Sequence, residues 1–128
     1  MGRKILQIVE SAYRCTIEEQ DDPVLWISAM FKSAGADTHV LLRGNAVNYA
    51  VKGQDASGLA FGERKQTQPP RISEDVQRLV EKGVAVYIVE DDAGERGLEA
   101  TDLVSGVKMV GRSGLPQLFA DYDQLWHW

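Results

Sequence analysis

The chain contains few of the residues that build redox, zinc and histidine-based sites. Its 128 residues include one cysteine, Cys15, and two histidines, His39 and His127. A single cysteine forms neither an internal disulfide nor a CxxC pair, and cysteine-rich zinc sites need several thiolates. Two histidines also disfavour most histidine-based metal sites and a Ser–His–Asp triad, and we predict no metal site from these residues.

Basic charge and nucleotide-binding motifs are scarce as well. Lys and Arg number 14 against 19 Asp and Glu, which gives a net charge of −5 and a pI near 5.0. Proteins that bind the phosphate backbone need a basic face, so the composition argues against a nucleic-acid partner. The glycines form neither a GxGxxG motif nor a P-loop, and we expect no nucleotide or other cofactor.

Long hydrophobic runs are absent too. The first apolar run is about five residues long, whereas a signal peptide needs about 7–15 and a membrane helix about 20. These lengths favour a soluble, cytoplasmic protein without a membrane partner. The hydrophobic content of 44% and the charged content of 26% are typical of a globular chain. A chain of this length predicts a single domain that spans residues 1–128.

Five short apolar runs predict the strands of one sheet. They lie at residues 5–9, 38–42, 84–89, 107–110 and 125–128. The first is almost continuously apolar, which is typical of a strand buried on both faces of a parallel sheet. Because predicted helices separate the strands, the order favours parallel pairing with right-handed crossovers. The predicted fold is a flavodoxin-like, three-layer α/β/α sandwich with an open, mainly parallel sheet of about five strands.

Capping signals place the helices between these strands. Asp22 as N-cap and Pro23 at the first position predict a helix that Gly35 ends. Ser73 opens a second helix, and shorter helices are predicted at 95–103 and 113–120. Residues 46–51 fit either a strand extension or a short helix. The glycine- and proline-rich stretch 52–71 predicts a functional or mobile loop.

The carboxyl ends of the strands are the expected place for a ligand, as in other open parallel sheets. Cys15 follows the first strand and is the candidate catalytic residue. The candidate ligand-binding residues at this edge are Tyr13, Arg14, Arg43, Asn45, Glu90, Asp91 and Arg96.

Cys15 has two interpretations. It lies in a polar segment beside Arg14, which would favour the thiolate and make the residue reactive. The alternative is a tolerated surface thiol.

The acidic run Glu90–Asp92 also has two interpretations. Several carboxylates can bind a hard divalent cation. The alternative is a solvated turn that caps the next helix.

The end of the chain is rich in aromatic residues. Phe119, Tyr122, Trp126 and Trp128 lie within ten residues. Aromatic side chains are enriched in cores and in subunit contacts, and the pattern fits either.

Six segments carry a family pattern: Lys4–Val9, Leu41–Val47, Val84–Val89, Arg96–Leu98, Asp102–Val107 and Asp121–Trp126. Together they resemble the DsrE/DsrF-like family, small flavodoxin-like proteins of sulfur relay and of unassigned function. The resemblance covers essentially the whole chain. It implies self-association as a dimer, trimer or hexamer.

The same resemblance bears on chemistry. Family members that accept persulfide sulfur carry a cysteine just after the third main strand, where this chain has Glu90 or Asp91. A carboxylate cannot hold a persulfide. The favoured hypothesis is therefore an accessory module that binds a small molecule or a protein partner in a crevice formed by 11–15, 43–48 and 90–96. The alternative is a sulfurtransferase or thiol-dependent sulfur carrier that uses Cys15.

Overall fold

The centre of the fold is a five-stranded parallel sheet, described here by a computed structural model of residues 3–16, 18 and 20–128. Its strands are β1 Lys4–Val9, β2 Asp37–Leu42, β5 Val86–Val89, β6 Lys108–Val110 and β7 Gln124–His127, in the order β6-β5-β2-β1-β7. All four pairings are parallel. The predicted flavodoxin-like α/β sandwich is confirmed.

Four helices connect the strands: α1 Pro23–Ser33, α2 Ile72–Glu81, α3 Glu90–Glu95 and α4 Leu115–Ala120. The predicted N-cap of α1 is present, since the Asp22 Oδ1 accepts hydrogen bonds from the backbone N–H groups of Val24 at 2.8 Å and Leu25 at 3.1 Å. The longest of these helices has 11 residues. None of the helices in the described part of the chain has the length and apolar character to cross a bilayer.

The region after β5 differs from the prediction. A helix was expected at 95–103, but α3 begins at Glu90, directly after the strand, and ends at Glu95. The acidic run forms the first helical turn, where negative charge is favourable next to the positive end of the helix dipole. Gly97 follows with a φ of 70°, which favours glycine and ends the helix, and Ala100–Asp102 forms a separate 3₁₀ turn.

The stretch between β2 and α2 is more ordered than a plain loop. Gly44–Ala50 forms a 3₁₀ helix, so the short-helix alternative for 46–51 is the correct one. Within 52–71, β3 Ala60–Phe61 and β4 Arg64–Lys65 pair as an antiparallel hairpin. The side chain of Glu18 accepts hydrogen bonds from the backbone N–H groups of Thr67 and Gln68. This contact ties the segment after β1 to the residues that follow the hairpin.

The two faces of the sheet are packed against hydrophobic clusters of different size. The larger cluster packs α1, α2 and the 3₁₀ helix onto one face and includes Val9, Val40 and Val86. The smaller cluster includes Leu6 and Leu41 and lies under α4, which has six residues. Cys15, the candidate catalytic residue, packs against the larger cluster, so the helices on that face of the sheet position it.

The aromatic end of the chain contributes to packing. The ring of Trp126 packs edge-on against Phe31 of α1, with 5.8 Å between centroids. The indole N–H of Trp128 donates to the Oε1 of Gln7 at 2.8 Å. Both tryptophans thus pack on the sheet and on α1, but Trp128 keeps 39% of its surface exposed and neither ring belongs to the buried core.

A buried carboxylate joins three parts of the larger cluster. Asp22 is fully buried, and its Oδ2 accepts a hydrogen bond from the Tyr49 hydroxyl at 2.6 Å. The same hydroxyl accepts the backbone N–H of Arg14 at 3.0 Å. The start of α1, the 3₁₀ helix and the segment after β1 are thus held through one pair of side chains.

We expect Asp22→Ala to lower the free energy of unfolding by about 2–4 kcal/mol, because it removes the helix cap and leaves the buried Tyr49 hydroxyl without its acceptor. Urea denaturation measures the change. Tyr49→Phe should cost about 1–3 kcal/mol, since it leaves one oxygen of Asp22 unpartnered. The matched control is Asp21→Ala, an exposed neighbour, with an expected change within about 0.5 kcal/mol. Equal losses for the Asp22 and Asp21 variants would contradict the proposed link.

Candidate functional site

A pocket of about 290 Å³ opens between the segment after β1 and the loop that leads into α2. We call it the Cys15 pocket. Its lining residues are Tyr13, Cys15, Thr16, Gln54, Asp55, Ala56, Pro70 and Ile72. The lining is mainly apolar, with two hydroxyl groups and one thiol, one amide and one carboxylate placed around it.

Tyr13 connects the two sides of the pocket. Its hydroxyl donates to the Oε1 of Gln54 at 2.8 Å, and its ring packs at 56° on Tyr49 with 5.0 Å between centroids. The Nε2 of Gln54 donates to the carbonyl oxygens of Asn48 at 2.7 Å and Val51 at 2.8 Å. The amide of Gln54 is therefore anchored to the 3₁₀ helix, and Tyr13 is held against that anchor.

The Cys15 thiol lies in surroundings that oppose its ionisation. Partial burial raises the pKa of the thiol above its ordinary value, and the carboxylates of Asp22, Asp21 and Asp75 raise it further. The sequence predicts the opposite, a thiolate favoured by Arg14. Arg14 instead contributes its backbone N–H to Tyr49. At neutral pH the pocket therefore presents a protonated, weakly nucleophilic thiol.

Asp75 of α2 is incompletely satisfied. Its Oδ1 accepts from the Nη1 of Arg78 at 3.0 Å, whereas its buried Oδ2 has no hydrogen-bond partner among the described residues. Burial, followed by the nearby charge of Asp21, raises the pKa of Asp75 to about 6. Two cavities adjoining this carboxyl are lined by both Asp21 and Asp75. Negative charge is thus concentrated beside the Cys15 pocket without full compensation.

A second group of predicted residues lies in a hydrogen-bonded network at the strand ends. The guanidinium of Arg96 donates to the Oδ1 of Asn45 from Nε at 3.2 Å and from Nη2 at 2.8 Å. Its Nη1 donates to the carbonyl oxygen of Asp92 at 3.0 Å. This arrangement ties α3 to the 3₁₀ helix.

Asp92 is the centre of that network. Its Oδ2 accepts from the backbone N–H of Gly44 at 2.8 Å, and its Oδ1 accepts from the Nη2 of Arg112 at 2.5 Å. Burial opposes ionisation of Asp92, but these hydrogen bonds hold its pKa below the usual range. Asp91 accepts the backbone N–H of Arg112 at 2.8 Å, and Glu90 is exposed.

The acidic run does not assemble as a cation site. Over residues 3–16, 18 and 20–128, no group of three His, Cys, Asp or Glu side chains has an arrangement that could hold a metal ion. Asp92 already bonds to Arg112, and Asp91 bonds to the backbone of the same residue. The run is not a capping turn either, because Glu90–Asp92 form the first turn of α3 itself and none of these side chains caps the helix.

The predicted site residues thus fall into separate groups. Tyr13 and Cys15 line the pocket, whereas Asn45, Asp91 and Arg96 make the strand-end contacts. Arg43 pairs through its Nε with the Oε1 of Glu10 at 3.2 Å.

The remaining pocket wall comes from the loop and the start of α2, which the candidate list from the sequence did not contain. Its residues are Gln54, Asp55, Ala56, Pro70 and Ile72. The signal available in the sequence was the unusual length of the 52–71 stretch, which is typical of functional loops.

Comparison with known proteins places this geometry in a family. The sequence model of the DsrE/DsrF-like family matches residues 15–127. No curated protein matches the chain.

Two solved structures share the fold. The ychN protein of E. coli aligns with a TM-score of 0.73 and 18% identity, over 98% of this chain and 99% of the other. MTH1491, a protein of unknown function from Methanobacterium thermoautotrophicum, aligns with a TM-score of 0.59 and 17% identity, over 97% of each chain. At these identities the likeness establishes the fold alone.

The unsatisfied Asp75 carboxyl generates a prediction about pH. Because its pKa in the folded state is about 6 against an ordinary 3.8, the folded protein binds the proton more tightly than the unfolded chain. Stability therefore falls as the pH rises from about 4 to about 6, and the full cost is present at pH 7.5. We expect Asp75→Asn to raise the free energy of unfolding at pH 7.5 by about 1–2 kcal/mol, a value discounted for screening and for the lost Arg78 pair.

Urea denaturation between pH 4 and 8 tests this expectation. The gain from Asp75→Asn should shrink toward pH 4, where the wild-type carboxyl is protonated in the folded state and begins to be protonated in the unfolded chain. Asp121→Asn, at an exposed position outside the pocket region, is the matched control and should show no such dependence. A loss of stability that is equal at every pH would contradict the assignment.

Proposed function

This chain belongs to the DsrE/DsrF-like family, which is related to sulfur relay, and from that premise we propose that it is a binding or accessory member of the family. It holds a small, mostly apolar molecule in the Cys15 pocket and does not relay persulfide sulfur. The observation that carries the proposal is the pocket itself, with apolar walls and a thiol whose pKa is raised by burial.

The dimensions and walls of the pocket support a small ligand. Ligand pockets usually enclose about 300–1,000 Å³, and the volume of about 290 Å³ is just below that range, which suits a small molecule. Ala56, Pro70 and Ile72 supply apolar surface, and Tyr13 adds an aromatic ring. Thr16 provides a hydroxyl that can orient a polar atom of the ligand.

The position expected for the relay cysteine supports the same function. The family resemblance puts that position at Glu90 or Asp91, the first two residues of α3. Both side chains are exposed carboxylates, and a carboxylate cannot form a persulfide. Sulfur relay through this position is therefore incompatible with the residues present.

A sulfurtransferase or thiol-dependent sulfur carrier that uses Cys15 is the second candidate. It is favoured by one observation, that the only thiol of the chain lines the pocket. The thiolate is the nucleophile in such chemistry, and the three neighbouring aspartates disfavour it. The binding function therefore has the stronger physical support.

We expect the neutral, apolar dye Prodan to bind the protein and to shift its emission to shorter wavelength, because the pocket removes the dye from water. Ala56→Trp should abolish most of this signal, since the indole fills the pocket from an exposed loop position. Ala100→Trp adds the same side chain at an exposed position that does not line the pocket and is the matched control. Fluorescence titration measures both.

Two outcomes would contradict the binding function. Dye binding that Ala56→Trp leaves unchanged would show that the pocket is not where the apolar molecule binds. Stoichiometric uptake of sulfur from glutathione persulfide by the wild type but not by Cys15→Ser, followed by transfer to an acceptor thiol, would establish the alternative. Intact-protein mass spectrometry detects the added sulfur atom.

Self-association forms part of the proposal. Trp26 and Met30 lie four residues apart on α1 and are 57% and 41% exposed. Residues at this spacing share one face of a helix, and tryptophan and methionine are enriched in interfaces. We propose that this apolar face of α1 packs against a second copy of the chain.

The double variant Trp26→Ser/Met30→Ser should shift the protein toward the monomer, because it removes the apolar surface that association would bury. Size-exclusion chromatography with light scattering measures the mass. Phe61→Ser, which removes the 66% exposed phenylalanine of the hairpin, is the control and should leave the mass unchanged. A wild type that is monomeric at about 100 μM would overturn the proposal.

A further inference from the structure

The Cys15 pocket carries negative charge on its own wall. Asp55 lines the pocket, and its Oδ1 accepts the backbone N–H of Ser57 at 2.9 Å. The hydrogen bonds from Ser57 hold the pKa of Asp55 below the usual range, so this carboxylate stays ionised at neutral pH. A ligand in the pocket therefore encounters a permanent negative charge at the exposed rim.

Further carboxylates lie behind the thiol. Asp22 is fully buried at the start of α1, next to Asp21, and Asp75 faces them from α2. These three groups are the strongest charged influences on Cys15, and all of them disfavour an anion at its sulfur. The field at the reactive atom and the charge on the rim thus have the same sign.

The cations near the pocket do not balance these acids. Arg78 pairs with Asp75 at 3.0 Å, and Arg71 approaches Glu74 at 3.7 Å. No ion pair to Asp21, Asp22 or Asp55 occurs among the described residues. The guanidinium of Arg71 also interacts with Asp55 over a longer distance. With Arg71 and Arg14 both counted as cations, three carboxylates remain against two positive charges.

From this arrangement we propose that the Cys15 pocket selects neutral or cationic ligands and rejects anionic ones, sulfur anions such as persulfides and thiosulfate included. The inference rests on the proposed function, because it names the charge class of the ligand that the pocket would bind. Repulsion is strongest close to the sulfur, where the apolar walls and partial burial reduce screening by water. We call these carboxylates, Asp21, Asp22, Asp55 and Asp75, the charge filter. The rest of the pocket lining is mainly apolar and does not distinguish ligands by charge.

Three methanethiosulfonate reagents of different charge test the filter: a neutral methyl, a cationic trimethylammonium-ethyl and an anionic sulfonatoethyl derivative. Each transfers its alkylthio group to the Cys15 thiolate and releases methanesulfinate, so one chemistry probes three charges. The cationic-to-anionic rate ratio is measured for the protein and for the neutral thiol N-acetylcysteinamide. At low ionic strength we expect the cationic-to-anionic rate ratio of the protein to be at least about threefold higher than that of N-acetylcysteinamide. In about 0.5 M salt the two ratios should approach each other, because salt screens the carboxylates.

Variants connect the ratio to the named carboxylates. Asp55→Asn should lower the ratio, because Asp55 is on the pocket wall. Asp55 is exposed in a loop, so the substitution leaves the core packing intact. Asp121→Asn removes an equal charge outside the pocket and should leave the ratio unchanged.

The outcomes separate this inference from the function on which it rests. If the neutral reagent reacts but the charge ratio equals that of the reference thiol, the pocket stands and the charge filter is wrong. A faster reaction with the anionic reagent also overturns the filter and favours the sulfur-carrier alternative. If none of the reagents modifies Cys15 of the folded protein even at alkaline pH, where the thiol ionises, while the urea-unfolded protein reacts, the pocket is closed to small molecules and the proposed function fails with it.

Discussion

The hydrogen bond between the buried carboxylate of Asp22 and the hydroxyl of Tyr49 is the interaction on which the pocket depends. A carboxylate without solvent access is costly unless its oxygens are satisfied. One oxygen caps α1, and the other binds the hydroxyl that also receives the backbone N–H of Arg14. Removing either partner therefore affects the helix, the 3₁₀ helix and the segment that carries Cys15 together. The pocket exists because these three parts are held at one point.

The same carboxylate links the stability of the fold to the chemistry of the thiol. Asp22 stabilises the start of α1, yet its charge opposes the thiolate of Cys15. A more reactive thiol would require the charge near it to be reduced, which would remove the cap and the Tyr49 acceptor. The fold thus favours a neutral thiol, and a pocket built in this way is better suited to binding than to nucleophilic sulfur chemistry.

The sheet and the first helix could be predicted from local sequence because their determinants are local. The apolar run of β1 and the Asp22–Pro23 pair each signal structure within a few residues. The pocket could not be predicted in the same way, because it depends on contacts between residues that are distant in sequence. The hydrogen bond from Tyr13 to Gln54, for example, joins residues 41 positions apart. The pKa of Cys15 shows the same limit: its sequence neighbour Arg14 suggested a thiolate, but aspartates brought near by folding decide its charge state. The acidic run after β5 fits a turn or a helix start equally well until Gly44 and Arg112 bond to Asp92.

The two groups of polar residues differ in how completely they are satisfied, and that difference indicates where a ligand would bind. Around Asp92, the bonds from Gly44 and Arg112 occupy the carboxylate and stabilise the strand ends. Beside the Cys15 pocket, Asp75 keeps a buried oxygen without a partner among the described residues, and its pKa is raised. Unbalanced charge of this kind lowers stability and tends to occur at functional sites. The groups around Asp92 already bond to one another, whereas the Cys15 pocket presents apolar surface, the Asp55 carboxylate and a free thiol to an incoming molecule. This difference supports the proposed placement of the ligand site at the Cys15 pocket and not in the network around Asp92.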